Sequence, residues 1–294
     1  MPEGKIIKAL SGFYYVLSED GSVTQCRGRG VFRKNKITPL VGDEVVFQAE
    51  NETDGYILEV KKRKNELVRP PIANVDQAIL VFSSVEPSFS TALLDRFLVL
   101  VEFNHIEPII CITKMDLATK EEGEKMKEYA KHYQEVGYPV ILTSSETDEG
   151  IHILAPFLAG KISVFAGQSG VGKSSLLNAI RPDLELKTDE ISTHLGRGKH
   201  TTRHVELVSI DNGLVADTPG FSSLEFTDIE LEHLNYCFPE IEKASEDCKF
   251  RGCLHLSEPK CKVKEEVEAG RIPVYRYEHY TEFIQEIKDR KPKY

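Results

Sequence analysis

A glycine-rich segment at residues 167–174, Gly-Gln-Ser-Gly-Val-Gly-Lys-Ser, constrains the fold of this 294-residue chain more than any other feature. It follows an apolar run at 163–166 and precedes a helical pattern at 173–180, the strand, loop and helix context of a phosphate-binding loop. Glycines let the backbone approach phosphates, so that its N–H groups and the positive end of the next helix face the anion. The segment predicts an α/β fold with a nucleotide at one edge of a mostly parallel sheet.

The expected phosphate contacts are the loop residues and the start of the helix, namely Gly167, Gln168, Ser169, Gly170, Val171, Gly172, Lys173, Ser174 and Ser175. We expect Lys173 to reach the β- and γ-phosphates as a catalytic group, and Ser174 to bind Mg²⁺.

A second apolar run ends in Asp217-Thr-Pro-Gly. There Asp217 is expected to hold Mg²⁺ through water, and the N–H of Gly220 to sense the γ-phosphate.

The segment between these two motifs, Gly-Arg-Gly-Lys-His-Thr-Thr-Arg at 196–203, is basic and rich in hydroxyl groups. Thr201 or Thr202 is expected to complete the Mg²⁺ shell, and the sequence does not choose between them. Phe221 stands where GTPases of the Ras type carry the glutamine that orients the attacking water. Turnover by the protein alone is therefore expected to be slow, on the order of 10⁻⁴ to 10⁻² s⁻¹. His200 is the nearest candidate to orient the water, the alternative being a surface histidine in a loop.

A base-recognition motif, Thr113-Lys114-Met-Asp116, follows the apolar run at 108–112. The carboxylate of Asp116 can accept hydrogen bonds from both N1–H and the exocyclic amine of guanine, whereas adenine presents the wrong pattern, and the stem of Lys114 can cover the ring. After the next predicted strand, Ser144 and Ser145 are expected to bring a backbone N–H to guanine O6. These residues predict GTP and GDP as ligands.

The order of these motifs along the chain is rotated, because the base motif precedes the phosphate loop. All of them are expected on loops at one edge of a parallel sheet, where the pocket depends on spatial arrangement and not on chain order. The sequence thus predicts a circularly permuted P-loop GTPase domain at residues 68–226.

Two further domains are predicted around it. Residues 1–67 contain short β-rich runs separated by turn residues, which favours a small antiparallel barrel of the OB-fold type, with an SH3-like barrel as the alternative. Residues 227–294 are polar and helical. An apolar stripe recurs there at helical spacing, and it is expected to pack against the rest of the protein: Tyr277, Tyr280, Ile284 and Ile287.

A cysteine cluster in this last region predicts a metal site. Cys248, Cys253, His255 and Cys261 supply three thiolates and one imidazole, enough for a closed tetrahedral zinc site of structural type, and the alternatives are unrelated buried thiols or a disulfide. Cys26, Cys111 and Cys237 stand alone and are expected to pack as small apolar residues.

The net charge of −10 argues mildly against a protein that coats nucleic acid without specificity. Its basic residues are nevertheless clustered, at Arg27, Arg29, Arg33, Lys34 and Lys36, at 61–64, and at Arg197, Lys199 and Arg203. Each cluster is either a nucleic-acid contact or a solvated face. No secretion signal or apolar stretch of about 20 residues is seen, so a soluble, cytoplasmic protein without membrane contact is expected.

Over its whole length the sequence resembles the RsgA family, also called YjeQ or YloQ, of ribosome small-subunit-dependent GTPases. The resemblance rests on the N-terminal barrel, the permuted motif order, Phe221 and the Cys-Cys-His-Cys cluster. It implies an OB-fold, a zinc-bearing helical domain, and binding of the 30S subunit and its 16S rRNA during late assembly, with hydrolysis stimulated by that particle. It also implies that His200 helps to activate water. Thr113 stands where the base motif of the family more usually has asparagine. We also expect the protein to be a monomer.

Two other classes of function remain open from the residues. The protein can be an RNA-binding assembly factor that uses GTP as a timer, or a P-loop kinase acting on a small molecule. A kinase has no use for Asp116, so the preference for GTP over ATP separates that alternative. The timer and the catalyst differ in whether His200→Ala abolishes stimulated turnover while binding persists.

Overall fold

A computed structural model describes residues 1–30, 32, 37–68, 70–182, 205–210, 212–216 and 224–290. The whole predicted switch segment at 196–203, with its basic residues, lies outside these ranges, as do Asp217 to Phe221 and the basic residues Arg33, Lys34 and Lys36. Within them, no helix is both long enough and apolar enough to cross a membrane.

The N-terminal region is a closed barrel in the strand order β1-β2-β3-β5-β4, which is the order of an OB-fold. Its strands are β1 (Glu3–Leu10), β2 (Phe13–Ser18), β3 (Val23–Gly28), β4 (Glu44–Asn51) and β5 (Asp54–Val60). Closure comes from antiparallel pairing of β1 with β4, while β3 and β5 are parallel. The interior is filled by fully buried apolar side chains, among them Ile6, Val16, Cys26, Val45 and Ile57. The expected OB-fold is confirmed.

A short hairpin, β6 (Glu66–Val68) and β7 (Pro71–Ala73), connects the barrel to the next region. The fully buried carboxylate of Asp43 accepts two hydrogen bonds of 2.7 Å from the guanidinium of Arg63, which fixes the chain as it leaves the barrel. The hairpin spans the predicted boundary between residues 67 and 68, and that boundary stays a prediction.

The central sheet has the order β10-β9-β8-β11-β13-β12, parallel except for the antiparallel pair of β12 and β13. Its strands are β8 (Gln77–Ser83), β9 (Glu107–Thr113), β10 (Val140–Leu142), β11 (Ile162–Ala166), β12 (Leu207–Ile210) and β13 (Gly213–Ala216). The strands predicted from apolar runs at 77–82, 108–112, 140–143, 163–166 and 213–216 are confirmed, except that β10 ends one residue before Thr143. β12 was not predicted, because its short run carries no turn signal before it.

Helices cover both faces of this sheet: α1 (Thr91–Phe103), α2 (Lys120–Val136), α3 (Ile151–Leu158) and α4 (Lys173–Ile180). Every residue of β8 is buried, as a strand covered on both sides requires. Its alternate residues Ala78, Leu80 and Phe82 belong to one core, and Ile79 and Val81 to another.

The C-terminal region consists of α5 (Leu231–Leu234), a 3₁₀ turn (Asn235–Cys237), α6 (Pro239–Ser245), α7 (Lys262–Glu268) and α8 (Val274–Asp289). In α8, Tyr280, Ile284 and Ile287 are buried and Tyr277 is partly buried, which confirms the predicted packing stripe. Its boundary at 226/227 stays a prediction.

Candidate GTP and metal sites

The phosphate loop lies between β11, which ends at Ala166, and α4, which begins at Lys173. Gly167 has φ +146°, and a Cβ there would lie 2.1 Å from the carbonyl oxygen of Val81 on the neighbouring strand β8. Gly172, immediately before α4, has φ +94°. Only glycine allows this backbone path and this close packing, so the loop follows from the glycine positions in the sequence.

Lys173 is folded over the loop that precedes it. Its Nζ donates to the carbonyl oxygens of Gly167 at 2.9 Å and Gln168 at 2.6 Å. Burial lowers the pKa of Lys173, because the charged form loses hydration that neutral carbonyls replace incompletely. The ammonium group is thus well suited to an anion, and Ser174 beside it is buried.

The base motif is attached directly to this loop. Thr113, buried at the end of β9, has its hydroxyl 2.6 Å from the carbonyl oxygen of Val171 and 3.1 Å from that of Phe82, and it donates to the nearer one. The Nζ atom of Lys114 donates a hydrogen bond of 2.8 Å to the carbonyl oxygen of Gly170. The predicted adjacency of two motifs distant in sequence is confirmed.

Lys114 also donates to the carbonyl oxygen of Glu86 at 2.5 Å. Glu86 lies in the loop between β8 and α1, and it was not predicted to contribute. A backbone carbonyl gives no signal in sequence, since any residue supplies one.

Asp116 lies in the exposed turn after β9, with its carboxylate accessible to a base. The turn is held by a hydrogen bond of 3.2 Å from the amide of Met115 to the backbone carbonyl oxygen of Thr143. Thr143 ends the run that leads into Ser144 and Ser145. Asp116 and the serine loop are therefore placed side by side at the carboxyl edge of the sheet.

The two serines have different surroundings. The amide of Ser144 donates to the carbonyl oxygen of Glu149, and its buried hydroxyl accepts from the amides of Glu146 and Thr147. Ser144 therefore shapes the loop. The partly exposed Ser145 makes no such contact among the described residues, so its amide is the one available to a base oxygen.

The expected magnesium and switch residues Asp217, Gly220, His200, Thr201 and Thr202 lie outside the described residues. Their neighbour in sequence, β13, ends at Ala216 beside the parallel strand β11. The strand before Asp217 thus ends at the same edge of the sheet as the phosphate loop.

The predicted metal ligands Cys248, Cys253, His255 and Cys261 come together, with their ligand atoms all within 4.8 Å of one another. The Nδ1 atom of His255 lies 3.7 Å from Sγ of Cys248 and 3.3 Å from Sγ of Cys261. Such separations suit bonds of about 2.0–2.3 Å to one tetrahedral Zn²⁺ ion. Disulfides are absent among the described residues, so the disulfide alternative is not supported.

The ring of His255 is oriented by a residue that the sequence did not indicate. Its Nε2 lies 3.1 Å from Oδ1 of Asn235, so Nε2–H donates and Nδ1 faces the thiols, as expected behind a metal-bound histidine. Burial raises the pKa of Cys253 to about 12. A cation bound by these four side chains would offset that burial and favour the thiolate form.

The three other cysteines are buried, as predicted. Burial raises the pKa of Cys111 and Cys237 to about 12 and that of Cys26 to about 11. These thiols stay protonated at neutral pH and serve as apolar packing groups.

Comparison with known proteins agrees with this arrangement. A family profile described as RsgA GTPase matches residues 60–227, and one described as RsgA N-terminal domain matches residues 3–57. The chain is 69% identical over 294 residues to a Bacillus cereus protein named small ribosomal subunit biogenesis GTPase RsgA, and the match covers 100% of both.

Two solved structures share the whole fold. YloQ, described as a circularly permuted GTPase, matches with a TM-score of 0.87 and 62% identity, over 100% of this chain and 97% of that one. YjeQ from Thermotoga maritima matches with a TM-score of 0.89 and 41% identity, over 99% of both chains. A profile match over more than half of the chain, full-length identity of 69% and the joined nucleotide motifs lead to one conclusion: the chain belongs to the RsgA GTPase family.

Proposed function

We propose that the protein hydrolyses GTP to GDP and phosphate, and that it does so while assisting late assembly of the 30S ribosomal subunit. The observation that carries the proposal is the hydrogen bond from Thr113 to Val171, which brings the base motif and the phosphate loop into one site. The ribosomal role is supported by the name of its full-length relatives, small ribosomal subunit biogenesis GTPase.

In this proposal Asp116 selects guanine, Lys114 covers the base and the Ser145 amide meets O6. Lys173 exchanges its loop carbonyls for β- and γ-phosphate oxygens, where its charge stabilises the transition state together with the amides of residues 168–175. Ser174, Asp217 and either Thr201 or Thr202 offer the oxygen ligands that Mg²⁺ prefers. When bound, Mg²⁺ neutralises charge that develops between the phosphates.

The attacking water has no glutamine to orient it, because Phe221 occupies that position. We propose that His200 takes this role when the protein is bound to the small subunit, and that Gly220 reports the γ-phosphate to the following chain. On this proposal, rapid turnover requires the particle.

We propose that Cys248, Cys253, His255 and Cys261 hold one Zn²⁺ ion. With four protein ligands the ion has no open position for catalysis. Its role is to fasten the polar segment at 246–261, which carries no helix of its own after α6.

We further propose that the barrel contacts 16S rRNA. Strand register places Phe13, Arg27, Tyr56 and Gln48 in one row across β2, β3, β5 and β4. The Arg27 guanidinium lies 5.1 Å from the centre of the Phe13 ring, and Tyr56 is 46% exposed. Aromatic rings beside a cation on an exposed sheet are suited to stacking with RNA bases. We also propose that the protein is monomeric and acts in the cytoplasm.

The deciding experiment measures GTP hydrolysis with and without purified 30S subunits, with ATP as the competing substrate. We expect hydrolysis of GTP and not ATP, with stimulation of at least about tenfold by the particle. His200→Ala should abolish the stimulation while leaving subunit binding intact. Equal use of ATP, or fast turnover by the protein alone, would contradict the proposal.

A further inference from the structure

A cleft of about 640 Å³ opens between the barrel and the central sheet, away from the nucleotide site. The barrel contributes Lys5 and Leu17, neighbours across β1 and β2 on its outer face. The rest of the lining comes from the turns and strand ends on the sheet side, including Lys161, Arg181 and Asn212.

The cleft lies at the amino edge of the sheet. Lys161 directly precedes β11 and Asn212 directly precedes β13, whereas the phosphate loop follows the other end of β11. A parallel strand of five residues separates these ends by roughly 15 Å. A ligand in the cleft therefore does not compete with GTP.

Among the described residues of the lining, the charged side chains are Lys5, Lys161 and Arg181, and all three are positive. Lys5 is partly buried and has no carboxylate partner among the described residues. Lys161 is paired at 2.9 Å with Glu107, whose side chain is 72% exposed, and such a solvated pair holds the lysine weakly. Arg181 donates to the carbonyl oxygen of Ser209.

The lining contains no acidic and no aromatic side chain among the residues that the structure describes. Among these residues a nucleotide base would find neither a stacking surface nor a base-specific carboxylate. Phosphate groups, by contrast, would find cations supplied by two separate parts of the fold. The cleft thus favours the phosphate backbone of a nucleic acid over its bases.

We propose that this cleft binds the phosphodiester backbone of RNA in the small subunit, so that Lys5 and Lys161 each neutralise a phosphate. The inference rests on the proposed ribosomal function and adds a surface to it. Leu17 at the cleft and Phe13 on the aromatic row lie on the same face of β2, about 13 Å apart. One RNA segment can therefore contact both.

The test compares the full-length protein with the double variant Lys5→Gln/Lys161→Gln in binding to purified 30S subunits with a non-hydrolysable GTP analogue. The double variant Lys127→Gln/Lys131→Gln is the matched control, because it removes two exposed charges from α2. Binding is measured over a range of KCl concentrations.

The cleft variant should bind about tenfold more weakly, and its slope of log K against log salt should fall by about 2. GTP affinity should not change in either variant, which also checks folding. If the cleft variant keeps the affinity and slope of the control, the cleft proposal is wrong although the ribosomal function stands. If the unmodified protein does not bind the subunit, both proposals are overturned.

Discussion

The hydroxyl group of Thr113 donates a hydrogen bond of 2.6 Å to the carbonyl oxygen of Val171, and so joins two motifs that are 58 residues apart in the chain. Lys114 adds a second link, to Gly170. Both donors belong to the base motif and both acceptors to the phosphate loop. The geometry of the nucleotide pocket is thus fixed by contacts at the sheet edge, which explains why a rotated motif order keeps the pocket intact.

Replacement of Thr113 by valine keeps the size of the side chain and removes this link. The buried carbonyl oxygen of Val171 then loses its hydroxyl donor, at a cost of about 1–3 kcal/mol. Since the loop has to hold its shape to bind phosphates, we expect GDP affinity to fall by about tenfold in equilibrium titration. Thr113→Ser retains the hydroxyl and should keep most of the affinity; equal losses in both variants would contradict this explanation.

Asp116→Asn tests the assignment of the base carboxylate. Because Asp116 is exposed, the substitution should leave the melting temperature unchanged. The amide no longer accepts from both guanine donors, so preference for GTP over ATP should weaken by orders of magnitude. Xanthosine triphosphate, which presents a carbonyl in place of the guanine amine, should bind the variant better than GTP. Unaltered GTP affinity would remove Asp116 from the site.

Lys173→Met separates phosphate binding from folding. The methionine side chain preserves the apolar stem but removes a half-buried ammonium group whose pKa is lowered by burial. A lowered lysine pKa means that the charged form opposes folding at neutral pH, so the variant should melt at an equal or higher temperature. GTP binding should be lost. A variant that binds GTP normally would show that the loop does not hold the triphosphate through this residue.

The sequence predicted the parts of the site that depend on local spacing. Glycines with positive φ, the Lys-Ser pair and the cysteine spacing are each contained within a few residues, so their chemistry is readable without a fold. Two other contacts have no such local signature. Asn235 orients His255 from 20 residues away in the chain, and Asp95 pairs with Arg276 across 181 residues.

The sequence does not predict β3 or α3, for comparable reasons. β3 alternates few apolar residues and relies on its barrel neighbours, and α3 contains Pro156. Tertiary packing overrides weak local propensity in both segments.

The cysteine cluster predicts one zinc ion per chain. Cys261→Ser should lower the zinc content measured by mass spectrometry and destabilise the C-terminal region, because the metal fastens a segment with little core. Cys237→Ser is the control, since it alters a nearby buried thiol outside the cluster. Retention of zinc by the Cys261 variant, or equal loss in the control, would argue against the ligand set.

The last prediction concerns a buried charge network between the GTPase region and the C-terminal helices. Asp95 on α1 is fully buried and accepts from Arg276 at 2.5 Å, from the Tyr133 hydroxyl at 2.7 Å and from His279 at 2.6 Å. Glu240 on α6 accepts from the same guanidinium.

Arg276→Met keeps much of the side-chain volume but leaves the carboxylates of Asp95 and Glu240 without the cation that they share. Breaking a buried pair in this way typically costs about 3–5 kcal/mol, so we expect a large loss of stability in urea denaturation. Arg271→Met should have little effect, because the Arg271 side chain is 62% exposed and Glu266 keeps Lys262 as a second cation at 3.2 Å. Since α1 follows the loop whose Glu86 carbonyl contacts Lys114, loosening α1 should also weaken GDP binding. Equal stability of the two arginine variants would show that this network does not hold the regions together.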